Sequence, residues 1–223
     1  MQGFWSPYEA TWQNKMLIAV SLSDKDFQKN LELSKELGAN IIELRLDLFE
    51  DKSYQSLDKM LIAIKDIGLK SILTPRGENE ELYIKFIDLC DYIDIDIKLT
   101  QIISKVRELR KRTEIIVSYH NFEQTPPDWV VKEIHRQAIR FGADIVKLAL
   151  MSQSYEDTVR FLCLSKTLHG RKILISMGQY GIASRMVGFL FGSEISFAYI
   201  SEPSAPGQLS LKELSHIRNL MQL

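Results

Sequence analysis

The chain has 223 residues, of which 45% are hydrophobic and 26% are charged, and its formal net charge at pH 7 is −1. That size suits one α/β domain, and the near-neutral charge gives no electrostatic reason to expect binding to nucleic acid or to an anionic membrane. The two cysteines, Cys90 and Cys163, have neither disulfide-framework nor zinc-site spacing, and the apolar runs are too short to span a bilayer, so we expect a soluble, unprocessed protein of the reducing cytoplasm.

Apolar segments rich in β-branched residues alternate along the chain with segments of helical spacing. An aromatic lead-in at residues 1–13, which we expect to pack on the core, precedes the first of them. The predicted strands cover residues 16–22, 41–48, 70–74, 92–99, 114–118, 145–150, 172–176 and 196–200. The predicted helices cover residues 23–37, 53–67, 80–89, 100–112, 126–141, 155–168, 183–191 and 211–221, several of them bounded by Gly or Pro.

Eight strand–helix units in this length predict an α/β fold of the (β/α)8 TIM-barrel type, with residues 1–223 in a single domain and a short N-terminal aromatic extension. The competing architecture is a doubly wound open sheet. That sheet usually has a Gly-rich turn after its first strand, and the segment Ser21-Leu-Ser-Asp24 contains no glycine. In a barrel, the reacting groups lie at the carboxyl ends of the strands.

The predicted sixth strand carries a single lysine among apolar residues. Alternate side chains of a strand share a face, so Ile145, Lys147 and Ala149 point one way while Val146 and Leu148 point the other. Because both faces are otherwise apolar, Lys147 is expected to lose solvation, and burial disfavours a charged amine. A neutral lysine amine can attack a carbonyl and form a Schiff base, although a strand-end lysine whose ammonium reaches water gives the same pattern.

Charged residues alternate with apolar ones in two other predicted strands. In the second strand, Glu43, Arg45 and Asp47 alternate with leucines that would face the helices, which leaves the three charges for the barrel interior. The fourth strand carries Asp94, Asp96 and Lys98 on one face in the same way. Charges kept inside a barrel must pair with each other or with a ligand, so the pattern predicts either a binding site or a structural ion-pair network.

Three further strand ends carry residues suited to catalysis or to anion binding. His120 follows the fifth strand, and histidine is the side chain best suited to proton transfer near neutral pH. Arg185, near the start of a helix, is placed either to clamp a carboxylate with two hydrogen bonds or to lie on the surface. Gly178 and Gly181 could form a phosphate-binding turn, but their spacing matches no phosphate-loop motif.

Five motifs in a fixed order together resemble type I 3-dehydroquinate dehydratase, the Schiff-base enzyme of the shikimate pathway. The motifs are Glu43-Leu-Arg45-Leu-Asp47, Thr74-Pro-Arg76 with Glu80, Ser118-Tyr-His120, Val146-Lys147-Leu-Ala149, and Ser176-Met-Gly178 through Ser184-Arg185 to Ser204-Ala-Pro-Gly-Gln208. Each motif is weak alone, but their order along nearly the whole chain is specific. The resemblance implies a barrel that acts as a homodimer, uses no cofactor or metal, and removes water from the small molecule 3-dehydroquinate to give 3-dehydroshikimate.

The resemblance also implies a role for individual residues. Lys147 would form the Schiff base with the substrate ketone, His120 would act as general acid and base, and Glu80 would orient His120. Arg185 would hold the substrate carboxylate. The other residues implied to bind the substrate are Ser21, Glu43, Arg45, Arg76, Met177, Ser204 and Gln208, the last two on a loop that closes over the site.

Three positions depart from the family pattern. Glu81-Leu82 follow Glu80 where the family usually has two glycines, which changes the loop that would bring Glu80 to the histidine. Asn121 replaces the usual aspartate after the histidine and changes the local charge. Asp96 stands where glutamate is common and has a shorter reach.

Two other functions fit some of the same residues. Another class I Schiff-base lyase, such as an aldolase acting on a sugar phosphate, would also use the lysine, but it predicts a phosphate-binding nest near the seventh and eighth strands. A non-catalytic binding barrel that retains the pocket is the alternative outside catalysis. The presence of Lys147, His120 and Arg185 together argues against that second alternative.

Overall fold

The computed structural model describes residues 16–77 and 79–221, so the aromatic extension expected at residues 1–13 lies outside the described residues. Nine parallel strands form one strongly curled sheet, with helices packed on its outer face. This TIM-barrel-like α/β architecture confirms the predicted fold class. None of the helices in the described ranges combines the length and the apolar character needed to cross a membrane.

Eight of the strands follow the predicted order, and a ninth short strand precedes the last helix. They are β1 (Leu17–Leu22), β2 (Ile41–Arg45), β3 (Lys70–Thr74), β4 (Tyr92–Asp96), β5 (Glu114–Asn121), β6 (Ile145–Met151), β7 (Arg171–Met177), β8 (Ile195–Tyr199) and β9 (Leu209–Ser210). The order across the sheet is β7-β6-β5-β4-β3-β2-β1-β8-β9. Among the described residues, a single parallel bridge between Lys172 and Ser193 joins the β7 strand to the segment before β8.

The helices follow the predicted strand–helix alternation. They are α1 (Phe27–Glu36), α2 (Tyr54–Asp66), α3 (Glu80–Lys85), α4 (Thr100–Leu109), α5 (Asp128–Phe141), α6 (Tyr155–Ser165), α7 (Ile182–Val187) and α8 (Leu211–Leu220). Local chemistry explains where several of them begin and end. Ser210 and Glu213 form a reciprocal capping box at the start of α8. Gly142 ends α5 with a φ of 103°, a left-handed conformation that glycine adopts without a Cβ penalty.

Three strand ends differ from the predicted boundaries in ways that affect the polar residues. β2 ends at Arg45, and Leu46–Leu48 form a 3-10 turn, so Asp47 lies beyond the strand. β4 ends at Asp96 because that carboxylate accepts a 2.9 Å hydrogen bond from the Lys98 amide and turns the chain, which leaves Lys98 exposed. β5 continues through Asn121, so His120 lies on the strand itself.

The alternation of side chains along the strands separates two apolar layers. Outward-facing residues, such as Val146 and Leu148 of β6, pack against the helices. The inward-facing residues form a second apolar cluster, which contains Ala19, Ile41, Ile72, Tyr92, Ile116, Ile145, Ala149, Ile173, Ile175, Met177, Ile195 and Phe197. Six strands carry a polar inward-facing residue two positions after a member of this apolar cluster. These polar residues are Ser21, Glu43, Thr74, Asp94, Ser118 and Lys147. The barrel therefore has a polar layer above an apolar floor.

A buried histidine outside the barrel interior predicts a pH dependence of folding. His135 of α5 is 7% exposed, and its Nε2 has no hydrogen-bond partner among the described residues. Burial, and then the positive charge of Lys172, lower the pKa of His135 below its ordinary value. The unfolded chain therefore binds this proton more readily, so the free energy of unfolding should decrease as the pH falls below about 6.5, by at most about 1.4 kcal/mol per pH unit.

Urea unfolding of the wild type and of His135→Gln across this pH range measures that contribution. The comparison is needed because a second buried histidine, His120, adds to the slope of both proteins. The variant is expected to show the shallower dependence on pH. Equal slopes for the two proteins would contradict the contribution assigned to His135.

Candidate active site

A cavity of about 300 Å³ opens at the carboxyl ends of the strands. That volume lies in the range of small-molecule sites, and this end of a barrel is where reacting groups are found. The predicted site residues that line it are Ser21, Glu43, Arg45, Arg76, His120, Lys147, Met177, Arg185, Ser204 and Gln208. Glu80 is the one predicted site residue that does not line this cavity.

Strand register brings the lysine and the histidine together. Lys147 of β6 lies opposite Ser118 of β5, and His120 is two residues further along β5, so its side chain points to the same face. Asp96 of β4 also lies opposite Ser118. Side chains from three adjacent strands therefore converge at one end of the barrel.

Lys147 is 4% exposed, and its Nζ lies among two carboxylates and an aromatic ring. Nζ donates a 2.7 Å hydrogen bond to Asp94 Oδ2 and lies 3.8 Å from Glu43 Oε1. It also lies 4.3 Å from the centroid of the Phe197 ring, the geometry of a cation–π contact. The prediction that Lys147 is buried is confirmed, and the alternative in which its ammonium reaches water is wrong.

Glu43 is almost fully buried in the barrel interior, as the alternating pattern predicted. Its carboxylate accepts hydrogen bonds from hydroxyl groups on both neighbouring strands, from Ser21 at Oε2 and from Thr74 at Oε1, the latter at 2.9 Å. Ser21 lies directly opposite Glu43 in the β1–β2 register, which accounts for that contact. Because both oxygens are engaged, the carboxylate stays close to Lys147 without a direct hydrogen bond to it.

Asp94 is the direct partner of the lysine and is held in place by a second donor. Its Oδ1 accepts a 2.6 Å hydrogen bond from Ser118 Oγ. Burial alone would raise the pKa of Asp94, but the positive charges of Lys147 and Arg76, together with that of His120 in its protonated form, more than offset burial and leave the pKa below its ordinary value. Asp94 is therefore an ionised carboxylate beside Lys147 Nζ.

His120 has one nitrogen in contact with a cation and the other without a hydrogen-bond partner. Arg76 Nη2 lies 3.2 Å from Nε2, whereas Nδ1 is buried and, among the described residues, has only Asp96 Oδ2 near it as an ion-pair partner, at 3.9 Å. Burial lowers the pKa of His120, Asp96 opposes this shift, and the charges of Lys147 and Arg76 add to it. His120 is therefore neutral near pH 7, the state that a general base requires.

Arg76 reaches His120 from a strained backbone conformation. Its φ is 52°, in the left-handed region that non-glycine residues rarely occupy. Its Nε is buried and lacks a hydrogen-bond partner in the described part of the chain. A guanidinium with an unused donor is suited to receive an anionic or hydroxyl group of a ligand.

Glu80 does not contact His120 in the structure. It is the first residue of α3, with a side chain that is 42% exposed, and it pairs with Lys105 of α4. The predicted orientation of His120 by Glu80 is therefore not found. The reason is local, because Glu81 and Leu82 favour helix where two glycines would favour an open loop, and Glu80 lies in the first turn of that helix.

Two further arginines line the cavity, and they differ in how their charge is balanced. Arg45 donates hydrogen bonds of 3.2 and 2.6 Å to the two oxygens of Asp47. Arg185 is 3% exposed, makes no ion pair with the described acidic residues, and keeps a buried Nε without a partner. Burial lowers the pKa of Arg185 to about 10. A buried cation without a counter-ion is unfavourable, so Arg185 has the strongest need for an anionic ligand.

Comparison with known proteins shows the family to which the chain is similar. Residues 18–223 match the family model described as type I 3-dehydroquinase. This chain belongs to the type I 3-dehydroquinase family. The 3-dehydroquinate dehydratase of Aquifex aeolicus is 42% identical to it over 214 residues, which cover 91% of this chain and 97% of that protein. The 3-dehydroquinate dehydratase of Hydrogenobaculum sp. is also 42% identical, over 219 residues that cover 93% and 100% of the two chains.

Solved structures of the family share the fold. The crystal structure of the A. aeolicus enzyme aligns with a TM-score of 0.86, over 92% of this chain and 98% of that chain. A type I 3-dehydroquinate dehydratase from Clostridium difficile, crystallised with covalent modified comenic acid, is 26% identical and aligns with a TM-score of 0.82, over 93% of this chain and 92% of that one. The type I 3-dehydroquinase barrel is thus the common architecture.

The loop between β8 and β9 contributes Ser204, Ala205 and Gln208 to the lining of the cavity. Gln208 Oε1 accepts hydrogen bonds from the amide and the hydroxyl of Ser204, at 2.7 and 3.1 Å. Arg45 Nη1 donates to the Ser204 carbonyl at 3.2 Å, and Arg185 Nη2 donates to the Pro206 carbonyl at 3.1 Å. Two arginines that face the cavity therefore also hold this loop.

The turn after β7 is poorly suited to phosphate. The Gly178 amide donates to the Pro206 carbonyl at 3.2 Å, and the Gly181 amide donates to the Gly178 carbonyl at 3.0 Å, so both amides are already engaged. Gly207, with a φ of 70°, approaches so closely that a Cβ there would collide with the Gly178 carbonyl. Within the described ranges, no group of three His, Cys, Asp or Glu residues is arranged to hold a metal ion.

Several residues beside Lys147 or His120 are not predicted as site members from the sequence, among them Asp94, Phe197 and Phe122. Asp94 was assigned only to a general interior network, although its alternation with Asp96 was the available signal. The sequence does not mark Phe197, which lies beneath Lys147, as a site residue, because an aromatic residue in an apolar strand usually packs in the core. Phe122, whose ring stacks on His120 with centroids 6.1 Å apart, follows the strand and reads as an ordinary loop residue.

Proposed function

We propose that this chain dehydrates 3-dehydroquinate to 3-dehydroshikimate through a Schiff base on Lys147, with His120 as the general acid and base. The observation that carries the proposal is the buried Lys147 amine in a cavity that a histidine and three arginines also line. The substrate is an anionic polyol with a ketone, and this cavity offers a nucleophile, a base and cations. Two relatives at 42% identity are named 3-dehydroquinate dehydratases, which supports the same reaction.

Formation of the Schiff base requires a free amine. Lys147 is paired with Asp94, so a proton must leave Nζ before the nitrogen can attack the ketone carbon. Neutral His120, on the adjacent strand, is the base available to accept it. The nitrogen then bonds to the carbon, and the carbonyl oxygen leaves as water after it has gained two protons, which gives a protonated imine. The negative charges of Asp94 and Glu43 balance the iminium that results.

The iminium makes elimination feasible near neutral pH. It withdraws electrons, so Nε2 of His120 can remove a proton from the neighbouring carbon while the C–H electron pair forms an enamine. The enamine electrons then expel the hydroxyl group one carbon further on, and His120 returns its proton to the departing oxygen. Hydrolysis of the conjugated iminium releases the product ketone and regenerates Lys147. Because the iminium is itself the electron sink, the scheme uses no metal or cofactor.

Binding of the substrate is proposed to centre on Arg185. This guanidinium is buried without an acidic partner in the described structure, so a substrate carboxylate would supply the missing charge. The loop that Arg185 and Arg45 hold would exclude water and protect the iminium from early hydrolysis. The other proposed substrate contacts are Ser21, Glu43, Arg45, Arg76, Met177, Ser204 and Gln208, which line the same cavity.

Borohydride reduction during turnover tests the covalent step. Incubation with 3-dehydroquinate and borohydride is expected to leave a reduced adduct on Lys147, located by mass spectrometry of peptides. Lys172 serves as an internal control, because it is a buried lysine on the adjacent strand whose Nζ donates to two backbone carbonyls. Formation of product with no adduct on Lys147 would contradict the Schiff-base mechanism, and the absence of both would contradict the proposed reaction.

The two alternative functions have less support. An aldolase acting on a sugar phosphate needs a phosphate nest, and the Gly178 and Gly181 amides that would form one are engaged. A non-catalytic barrel has no need of a buried lysine beside a neutral histidine. The same trapping experiment with a sugar phosphate in place of 3-dehydroquinate separates the aldolase from the dehydratase.

We further propose that residues 1–223 form one domain that works as a homodimer in the cytoplasm. The family resemblance supports the dimer. Cys90 is buried and Cys163 is exposed, and both are free thiols in the structure, which suits a reducing compartment. Light scattering on the purified protein measures its mass in solution.

A further inference from the structure

The contact between Arg76 and His120 indicates which nitrogen of the histidine carries the proton in this structure. Arg76 Nη2 lies 3.2 Å from His120 Nε2. A guanidinium can only donate, so Nε2 must be the accepting, unprotonated nitrogen. The neutral ring therefore carries its proton on Nδ1. That tautomer leaves Nε2 as the nitrogen available to act as a base.

The Nδ1 proton points into a buried space with one acidic group beside it. Nδ1 has no hydrogen-bond partner in the described structure, and Asp96 Oδ2 is 3.9 Å away. The His120 side chain is only 8% exposed, so water does not readily replace the missing acceptor. A small rotation of either side chain would shorten this separation to a hydrogen bond.

Asp96 is held in the position that this role requires. Its Oδ1 accepts a 2.9 Å hydrogen bond from the Lys98 amide, which leaves Oδ2 for the histidine. Asp96 lies opposite Ser118 in the β4–β5 register, and His120 is two residues beyond Ser118 on the same face. Asp96 also lines a second cavity of about 270 Å³, which His120 does not line. The carboxylate can thus be hydrated through that cavity while it faces the ring.

Glu80, the acid that the family pattern would assign to this role, is engaged elsewhere. It pairs with Lys105, and both side chains are about half exposed, at 42% and 50%. It lines neither the main cavity nor the second one. Among the described acidic residues, Asp96 is therefore the one placed beside Nδ1.

The charges around His120 show what Asp96 contributes. Lys147 on β6 and Arg76 after β3 disfavour protonation of the ring, while Asp94 and Asp96 on β4 favour it. Burial would raise the pKa of Asp96, but the nearby His120 ring and the hydrogen bond from the Lys98 amide more than offset this effect, so its pKa lies below the ordinary value and the carboxylate is ionised near pH 7. Asp96 thus partly compensates burial, which by itself would make His120 too weak a base.

We propose that Asp96, in place of Glu80, is the carboxylate that positions His120 and fixes its proton on Nδ1. The inference depends on the proposed function, because it concerns the base of that reaction. It makes Asp96 a positioning residue, which acts through His120 and does not touch the substrate.

Steady-state kinetics of the full chain with 3-dehydroquinate across pH test this inference. Asp96→Asn is expected to lower kcat by about 10- to 100-fold with little change in KM. Because the base acts in its neutral form, loss of the Asp96 charge lowers the pKa of His120 and should move the acidic limb of the kcat/KM profile to lower pH. Asp96→Glu should restore most of kcat and the limb. Asp58→Asn, the same change on an exposed face of α2, should alter neither.

Nitrogen NMR of the four histidines provides a readout independent of turnover. The His120 signal is assigned as the one that disappears in His120→Gln. It should show the Nδ1-protonated form in the wild type and a mixture of tautomers in Asp96→Asn. The inference would be overturned if Asp96→Asn left the acidic limb of the kcat/KM profile and the His120 tautomer unchanged while Glu80→Gln changed both. Its failure is distinguishable from failure of the proposed function, since the wild type would still give a reducible adduct on Lys147.

Discussion

Replacement of Lys147 with methionine is expected to lower kcat by about 10⁴-fold or more while the barrel still folds. Methionine keeps an unbranched apolar side chain above Phe197 but cannot form an imine. Asp94 and Glu43 would then lose the cation between them. Buried carboxylates left without their partner cost about 3–5 kcal/mol, so the variant should be less stable at neutral pH and should recover part of that loss as Asp94 gains a proton in acid.

The matched control for that variant is Lys172→Met. Lys172 is also a buried lysine, on the neighbouring strand, but its Nζ donates to the Leu168 and Gly170 carbonyls near the amino end of β7. Its replacement should reduce the free energy of unfolding and leave turnover close to that of the wild type. Turnover follows the conjugated product by ultraviolet absorbance. If Lys147→Met retained kcat within about tenfold of the wild type, Lys147 would not be the nucleophile.

Replacement of Arg185 with methionine is expected to raise KM by about 100-fold, with a smaller effect on kcat. The carboxylate that Arg185 is proposed to bind does not change during the reaction, so its contact contributes equally to the ground state and the transition state. The free protein should be no less stable than the wild type, because the change removes a buried cation that has no acidic partner in the described structure.

Arg218→Met provides the control for the loss of a partly buried arginine. Arg218 of α8 donates to Asn40 Oδ1 and to the Gly38 carbonyl, each at 2.8 Å, and does not line the cavity. This variant should lose stability and keep its KM. Arg185→Lys, which keeps the charge without the paired donors, should fall between the wild type and Arg185→Met. An unchanged KM in Arg185→Met would show that Arg185 is not the carboxylate ligand.

Much of the barrel could be predicted because strand alternation is a local property. The apolar runs and their Gly and Pro boundaries predicted eight strands in the right order, and period-two spacing placed Glu43 and Lys147 on inward faces. The predicted strand ends were wrong where a side-chain hydrogen bond turns the backbone, as the bond from the Lys98 amide to the Asp96 carboxylate does. Such a turn depends on one hydrogen bond, so no periodic pattern of residues in the sequence predicts it.

The partners of the site residues could not be predicted in the same way. The family motif assigned Glu80 to His120, but the helix formed by Glu81 and Leu82 takes Glu80 to Lys105, and Asp96 lies beside the ring. Asp94 beside Lys147 follows from the register and curl of three strands that are distant in sequence. A pairing of this kind requires the relative positions of whole elements.

The sequence by itself thus determined the fold class, the inward position of Glu43, the burial of Lys147 and the chemical character of several residues around it. The tertiary structure decided which carboxylate meets the lysine, which one meets the histidine, and that Arg185 is buried without a counter-charge among the described residues. The physical reason is the separation along the chain between the residues that set each property. Side-chain direction along a strand follows from backbone geometry over a few residues, whereas the pairing and desolvation of charges follow from how the curled sheet brings distant strand ends together.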